Sequence, residues 1–268
     1  MLRHCNPYIL SNLREYWVFM LYRRVLLQLC WYLITPLFLL CIPQALHIKK
    51  TALRLPEAKG DHTVTIGANE KRLKFNHYGE STVEGVGVEL LKDALSAQLC
   101  QTLTSELQAQ NTRVQCHITG QNGIRFSELN SLIAQQKEPA DFTIITMGVN
   151  DTTGFTSVKR WQQSILQSIT LLQQNRPAPI LFTQVPPIAQ FPALPAPLRY
   201  VLGFRAYLLN FELQRICAQH KHCHYIGSKL LVEKDMMAKD GYHPSALGYA
   251  AWAKQITPQI LKILQCLK

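Results

Sequence analysis

Charged residues are scarce in this sequence: they make up only 17% of its 268 residues, whereas 47% are apolar and the mean hydropathy is -0.02. A chain with so little charge and so much apolar character is not intrinsically disordered. It also lacks the glycine-rich repeats of a collagen-like fibre. The length corresponds to one or two globular domains with a sizeable core.

Acidic residues are the scarcer charged type, because 17 Asp and Glu stand against 28 Lys and Arg, which gives a formal net charge of +11. Such an excess suits a nucleic acid, an anionic lipid surface or an acidic substrate. The basic residues are scattered, however, and no helix-turn-helix, zinc-finger or RNP-like signature accompanies them. We therefore expect no nucleic-acid partner.

Paired cysteine motifs are absent as well, since the eight cysteines include no CxxC pair of the kind found in zinc ribbons. Five of them follow the apolar N-terminal region, an odd number that predicts no disulfide framework and favours a reducing compartment. On a strand, His220, His222 and His224 would share one side and form an alternative metal site, but no acidic or thiolate ligand accompanies them there. The cysteines and histidines thus predict no metal site.

Charge is missing altogether from residues 25–46, an apolar run bracketed by basic pairs at 23–24 and 49–50. As a helix this run is long enough to cross a hydrocarbon layer of about 30 Å. A cleavable signal peptide is the main rival, but no small residues mark a cleavage site after the run. Pro36 and Pro43 could kink or end a helix, so insertion into one leaflet stays open beside a transmembrane span.

The orientation of this single N-terminal anchor is not determined by charge, because basic residues flank the run equally on both sides. The unpaired cysteines favour the cytoplasmic face of the membrane for the rest of the chain. The sequence then divides into a basic N-terminal segment at 1–24, an anchor at 25–46, a polar linker at 47–70 and a folded domain at 71–268.

Within this domain, short apolar runs alternate with longer amphipathic stretches, a pattern typical of α/β proteins with a parallel sheet covered on both faces. One helix shows the expected periodicity, because Val158, Trp161, Ile165, Ile169 and Leu172 recur at helical spacing. Five strands are predicted within 72–78, 114–118, 141–147, 179–185 and 224–227. Five helices are predicted over 88–103, 126–135, 157–174, 198–219 and 246–267.

Ligands of such sheets bind beyond the carboxyl ends of the strands, and four loops there carry unusual residues. These loops are GEST at 79–82, TGQNG at 119–123, GVND at 148–151 and, before the last helix, DGYHP at 240–244. A serine, a glycine, an asparagine and a histidine therefore converge on one edge of the sheet.

The four loops resemble the motif blocks of the SGNH/GDSL hydrolase family, in that family's order and over about residues 71–268. GES matches a nucleophile block that is usually GDS, GVND matches the GxND block, and DGYHP matches the DxxH block. The resemblance implies a three-layer α/β/α, flavodoxin-like fold with a five-stranded parallel sheet. LPEAKG at 55–60 and the stretch at 186–206 resemble a membrane-anchored bacterial branch, which implies the bacterial inner membrane.

A serine hydroxyl is a weak nucleophile that needs a general base, itself oriented by a third group. We expect Ser81 to be the nucleophile, His243 the base and Asp240 the group that orients the imidazole. For the oxyanion, the expected donors are the Asn150 side chain and the backbone N–H groups of Ser81 and Gly120. The sequence departs from the family at Glu80, where the family normally has Asp. The extra methylene of Glu80 could disturb the hydrogen bonds that shape the nucleophile loop.

These roles predict hydrolysis of a carboxylic ester through an acyl-serine intermediate, with no metal ion or organic cofactor, on a lipid or an acylated glycan at the membrane. An acyltransferase would use the same site with an acceptor other than water. The alternative from another functional class is a protein that binds a lipid or glycan at the membrane without catalysis. Glu80 is the feature that favours this alternative. The proline-rich stretch at 185–205 borders the same crevice and is either an acyl-binding wall or a rigid connector.

Overall fold

Six strands form one sheet in the computed structural model, which describes residues 7–68, 70–135, 139–174, 177–228 and 232–266. The strands are β1 (Thr63–Ile66), β2 (Lys71–Gly79), β3 (Thr112–Gly120), β4 (Phe142–Thr146), β5 (Ile180–Thr183) and β6 (Cys223–Ile226). Their order is β1-β3-β2-β4-β5-β6, and all pairs are parallel except β1 with β3. The α/β prediction with a parallel-dominated sheet is confirmed.

The predicted number of five strands is wrong by one, because β1 adds an antiparallel strand at the edge. This strand lies inside 47–70, the segment predicted as a linker, and its Val64 pairs with Cys116 of β3. Only alternate residues of β1 are partly covered. A strand of four residues with one half-covered side gives a weak periodic signal, which explains why the sequence did not reveal it.

Helices cover both faces of the sheet, as three-layer packing requires. One face carries α2 (Leu95–Glu106) and α7 (Ala246–Cys266), and the other carries α3 (Phe126–Gln135), α5 (Val158–Gln173) and α6 (Leu198–Gln219). Two further helices are a single short turn, α4 (Val149–Thr153), and a long N-terminal helix, α1 (Pro7–Thr51). The helix predicted from Val88 begins only at Leu95, because Leu90 is extended and a 3-10 turn precedes it.

The core consists of two apolar layers, one on each side of the sheet. Phe75 and Phe142 stack on neighbouring strands with ring centroids 5.0 Å apart. Trp161 of α5 is fully buried, and its indole N–H donates to the Leu209 carbonyl on α6 at 3.0 Å. The helical stripe predicted around Trp161 therefore faces the core.

The apolar helix α1 is continuous, contains both Pro36 and Pro43, and packs against α6. The first six residues of the predicted basic segment 1–24 lie outside the described residues. Side chains covered by the domain recur every three or four positions, the spacing of one helix face: Met20, Arg24, Leu27, Trp31, Ile34, Phe38, Cys41, Ala45 and Ile48. We call this set the docking stripe.

Polar contacts hold the docking stripe at both ends. Near the start of α1, Arg24 Nε donates to the Glu212 carboxylate at 2.7 Å, and Glu212 is fully buried. Near its end, the Gln44 side chain accepts from Leu198 N at 3.3 Å and donates to the Ala196 carbonyl at 2.8 Å. Between them, the Arg205 guanidinium lies 4.8 Å from the Trp31 ring centroid. The helix thus lies along α6 rather than projecting from the domain.

The opposite face of α1 is also apolar, with large side chains such as Tyr22, Leu33 and Leu40 between 73% and 78% exposed. Among the described residues, Val18–Thr51 is the one helix long and apolar enough to cross a membrane. A helix on the surface of a soluble protein normally turns a polar face to water. An apolar outer face of this size fits an anchor or a signal sequence.

We predict that Trp31→Ala destabilises the full-length protein by about 3 kcal/mol, because a buried indole and its contacts are lost. Tyr32→Ala is the matched control: the next residue is 64% exposed, so its loss should change stability by less than about 0.5 kcal/mol. Thermal unfolding in detergent micelles measures both variants. Equal shifts in the two would contradict the docking of α1.

Candidate active site

The turn after β2 carries Ser81, the expected nucleophile, and reverses the chain at the carboxyl edge of the sheet. We call it the nucleophile turn. Val83 N donates to the Glu80 carbonyl and Val86 N to the Ser81 carbonyl, which closes the turn. A Cβ on Gly79 would lie 2.3 Å from Val83 Cγ2 and 2.5 Å from the Thr146 carbonyl oxygen. Only glycine lets β2 end in so tight a turn.

The turn at residues 240–244 places His243 over Ser81. The Asp240 Oδ1 atom accepts from the backbone N–H groups of Tyr242 and His243 at 2.9 and 3.0 Å. Its Oδ2 atom lies 2.6 Å from His243 Nδ1, and His243 Nε2 lies 2.8 Å from Ser81 Oγ. With the Nδ1 proton donated to the carboxylate, Nε2 is free to accept the Ser81 hydroxyl proton.

The environment of Asp240 favours its ionised form. Burial opposes ionisation, but the hydrogen bonds from the His243 side chain and from the backbone of Tyr242 and His243 outweigh it. The pKa of Asp240 therefore lies below its ordinary value. An ionised carboxylate here holds the imidazole in one orientation and stabilises it when it becomes charged.

Close backbone packing fixes the distance between the two turns. Gly87 has φ +111°, and a Cβ there would lie 2.3 Å from the Pro244 carbonyl oxygen. The Tyr249 hydroxyl, on α7, donates to the Val86 carbonyl at 2.6 Å. The nucleophile turn is therefore held against the turn that carries His243.

The Glu80 carboxylate joins the nucleophile turn to the GVND loop. Its Oε1 atom accepts from Val149 N at 2.9 Å, and its Oε2 atom accepts from Asn150 N at 3.0 Å and from Asn150 Nδ2 at 2.5 Å. Glu80 is 2% exposed. Its side chain thus fixes both the first turn of α4 and the orientation of the Asn150 amide.

Burial raises the pKa of Glu80 from 4.5 to about 7, although the backbone N–H groups of Asn150 and Val149 favour the ionised carboxylate. Asp151 adds a smaller contribution that also raises this pKa. Glu80 therefore ionises near neutral pH in the folded protein.

The remaining loop residues have structural contacts of their own. A Cβ on Gly120 would lie 2.9 Å from Glu84 Oε1 and 3.0 Å from the Gly79 carbonyl oxygen, so glycine here allows the loop to pack on the nucleophile turn. The Asp151 carboxylate accepts from Phe126 N at 2.8 Å and so caps the first turn of α3.

The catalytic pocket is a cavity of about 220 Å³ between these loops. Its polar wall includes Ser81, His243 and Asn150. Its apolar wall includes Phe191 from the proline-rich stretch and Trp252 from α7, with Met237 beside them. Of the two alternatives for the proline-rich stretch, the lining of the pocket by Phe191 favours a wall.

A segment that the sequence placed in the linker also contacts the site. Ala58 N donates to the Glu84 carbonyl at 3.0 Å, and Leu91 N donates to the Lys59 carbonyl at 2.9 Å. Glu57 Oε1 accepts from Asn122 N at 3.1 Å. We call residues 55–60 the strap. The resemblance of its LPEAKG sequence to the membrane-anchored branch was the one signal that marked this segment. No local pattern in these residues predicted their contacts with the site.

The alternating histidines do not form a metal site. Strand β6 begins at Cys223, so His220 and His222 precede it and only His224 lies on it. Within the described ranges, no group of three His, Cys, Asp or Glu side chains is arranged to hold a metal ion.

Comparison with known proteins identifies one family. The model of the GDSL-like Lipase/Acylhydrolase family matches residues 78–251, a range that contains all four loops. No curated protein sequence is a significant match to the chain.

Several solved structures share the fold. A family 3 carbohydrate esterase of Clostridium thermocellum is 18% identical, with a TM-score of 0.56, and the match covers 72% of this chain and 99% of that one. A lipase/acylhydrolase from Enterococcus faecalis is 18% identical, with a TM-score of 0.51 and coverages of 70% and 95%. A psychrotrophic esterase from Pseudoalteromonas is 16% identical, with a TM-score of 0.52 and coverages of 72% and 98%.

We predict that Glu80→Gln changes how stability depends on pH. Because folding raises the pKa of Glu80 to about 7, the wild type is progressively destabilised as pH rises from 4.5 through 7. Relative to the wild type, Glu80→Gln should therefore gain up to about 3 kcal/mol between pH 5 and pH 8. Denaturant unfolding across this range measures the difference.

The control for this experiment is Glu106→Gln, which removes an exposed carboxyl at the end of α2. Its stability should follow the wild type at every pH. A constant difference between Glu80→Gln and the wild type would contradict the burial effect.

Proposed function

This chain belongs to the GDSL-like lipase/acylhydrolase family, and from that premise we propose that it hydrolyses a carboxylic ester through an acyl-serine intermediate on Ser81. The observation that carries the proposal is the continuous set of contacts from Asp240 through His243 to the Ser81 hydroxyl. A nucleophile, a base and an orienting carboxylate within hydrogen-bond distance are the parts that acyl transfer requires.

In the first half-reaction, Ser81 Oγ attacks the ester carbonyl carbon while His243 Nε2 accepts the hydroxyl proton. Asp240 stabilises the imidazolium that forms. The C–O bond to the alcohol then breaks as His243 returns the proton to the leaving oxygen, which leaves an acyl group on Ser81. In the second half-reaction, water attacks this acyl group with the same base, and the acid product departs as Ser81 regains its proton.

The oxyanion would be held by Asn150 Nδ2 and the backbone N–H groups of Ser81 and Gly120. One Nδ2 hydrogen of Asn150 donates to Glu80, and the second remains for the substrate oxygen. In this assignment Glu80 is a positioning residue, since it orients the Asn150 amide without contacting substrate. One well-placed donor of this kind contributes about 3 to 4 kcal/mol to the transition state.

The names of the structural neighbours support an ester as substrate, because they include a carbohydrate esterase, a lipase/acylhydrolase and an esterase. These names cover both glycan and lipid esters. The apolar walls of the catalytic pocket and the apolar outer face of α1 favour a lipid. The domain that performs this chemistry would comprise residues 71–268 together with the strap and β1.

We further propose that α1 lies in the plane of the membrane instead of crossing it. From Met20 to Ile48 the docking stripe extends about 42 Å along the domain, more than the roughly 30 Å of a hydrocarbon layer. A span perpendicular to the membrane would carry α6 and its charged Arg205 and Glu212 to the same depth. Insertion into one leaflet keeps the domain in water and buries the exposed apolar face.

We predict that Ser81→Ala abolishes both ester hydrolysis and labelling by a fluorophosphonate probe, because the nucleophile is removed while the fold is kept. Asp240→Asn should lower kcat by about 10⁴-fold, since a neutral amide cannot stabilise the imidazolium. Ser105→Ala, which changes an exposed serine on α2, is the control and should match the wild type.

Full labelling of Ser81→Ala would refute the nucleophile. Absence of turnover on every ester by the wild type would favour the inactive binder.

We also predict that epitopes at the two ends of the full-length chain lie on the same side of the bacterial inner membrane. A helix in the plane of one leaflet leaves both ends on one side, whereas a single span separates them. Protease protection in spheroplasts, with permeabilised spheroplasts as control, distinguishes the two. The cytoplasmic orientation expected from the cysteines requires both epitopes to be protected until the membrane is opened.

A further inference from the structure

A second cavity, of about 480 Å³, lies between α1 and the catalytic domain. We call it the helix groove. Phe38, Ala45 and Ile48 of the docking stripe form one side of it. The apolar residues of the facing side include Phe155, which follows α4, and Leu194 of the proline-rich stretch. The membrane helix is therefore one wall of a cavity rather than only an anchor.

The helix groove adjoins the catalytic pocket. Asn150, Thr153 and Tyr242 line both cavities. Asn150 is also the expected oxyanion donor, so a substrate carbonyl bound there would lie at the boundary between the two.

From this arrangement we propose that the helix groove binds the acyl chain of a membrane lipid ester whose carbonyl lies at Ser81. The proposal rests on the proposed ester hydrolysis and specifies its substrate class. In it, α1 determines which acyl chains are accepted, because the docking stripe supplies the outer wall of the groove.

The walls favour an acyl chain over a glycan. Sugars need many hydrogen-bond partners, and the residues between Asn150 and α1 are largely apolar. The groove also adjoins a helix whose exposed face is apolar, so a lipid chain could move from the bilayer to Ser81 without crossing water. Lys49 and Arg125, both exposed at the groove, add positive charge that suits an anionic membrane surface.

The test compares short and long esters on full-length protein in vesicles of phosphatidylcholine and phosphatidylglycerol. Ala45→Trp fills the groove from the docking stripe. Leu40→Trp is the matched control, since it adds the same side chain to the exposed face of α1, where Leu40 is 73% exposed. The substrates are p-nitrophenyl acetate, whose acyl group ends within the catalytic pocket, and p-nitrophenyl dodecanoate.

We expect Ala45→Trp to lower kcat/KM for the dodecanoate by at least about 10-fold, since each methylene excluded from an apolar site lowers binding by up to about fourfold. Its kcat/KM for the acetate should stay within about twofold of the wild type. Leu40→Trp should leave both values unchanged. Equal losses on both esters, or no loss on the dodecanoate, would overturn the proposal while leaving ester hydrolysis intact.

A second measurement does not depend on turnover. A phosphatidylcholine whose acyl chain carries a diazirine is incorporated into the vesicles, and light then attaches it to nearby residues of the Ser81→Ala protein. Labelling of the peptide that contains Phe155 is expected, and adding Ala45→Trp should remove it. Persistence of that labelling, or its absence from both proteins, would refute the groove even if the wild type hydrolysed no ester.

Discussion

The buried contact between Glu80 and the first turn of α4 connects the two halves of the candidate site. Ser81 follows β2 and Asn150 follows β4, and these strands are neighbours in the sheet. Parallel pairing brings their ends to one edge, but it does not fix the orientation of either loop. The carboxylate does so, because it accepts from the backbone and side chain of Asn150 while its own backbone belongs to the nucleophile turn. The Asp that the family usually has at this position is one methylene shorter than Glu80. To reach the same donors, its nucleophile turn would have to lie closer to α4.

Motif spacing predicted much of the site, because its chemistry is local in sequence. Asp240 and His243 are three residues apart on one turn, so their contact follows from the spacing. The alternation of apolar runs likewise predicted the five parallel strands and both helical layers. The partners of Glu80 were not predictable in this way, since they depend on β2 and β4 being adjacent. Strand β1 and the strap were missed because their contacts join distant segments through the backbone.

The docking of α1 was hidden for a different reason. Its covered and exposed faces are both apolar, so hydropathy alone cannot distinguish them. The distinguishing residues lie on α6, where Arg205 and Glu212 are buried beneath the helix. Without α1, Glu212 would keep Arg215 and Gln162 but lose Arg24, and Arg205 would lose the Trp31 ring. Because α1 supplies part of the contacts of these buried charges, it packs as part of the folded domain.

The path of the chain after α1 extends this coupling to the nucleophile turn. The helix ends at Thr51, and the strap that follows donates from Ala58 to the Glu84 carbonyl. The docking stripe lines the groove on one side of the site, and the strap contacts the nucleophile turn on another. A shift of α1 along α6 would therefore change the width of the groove and pull on the turn that holds Ser81.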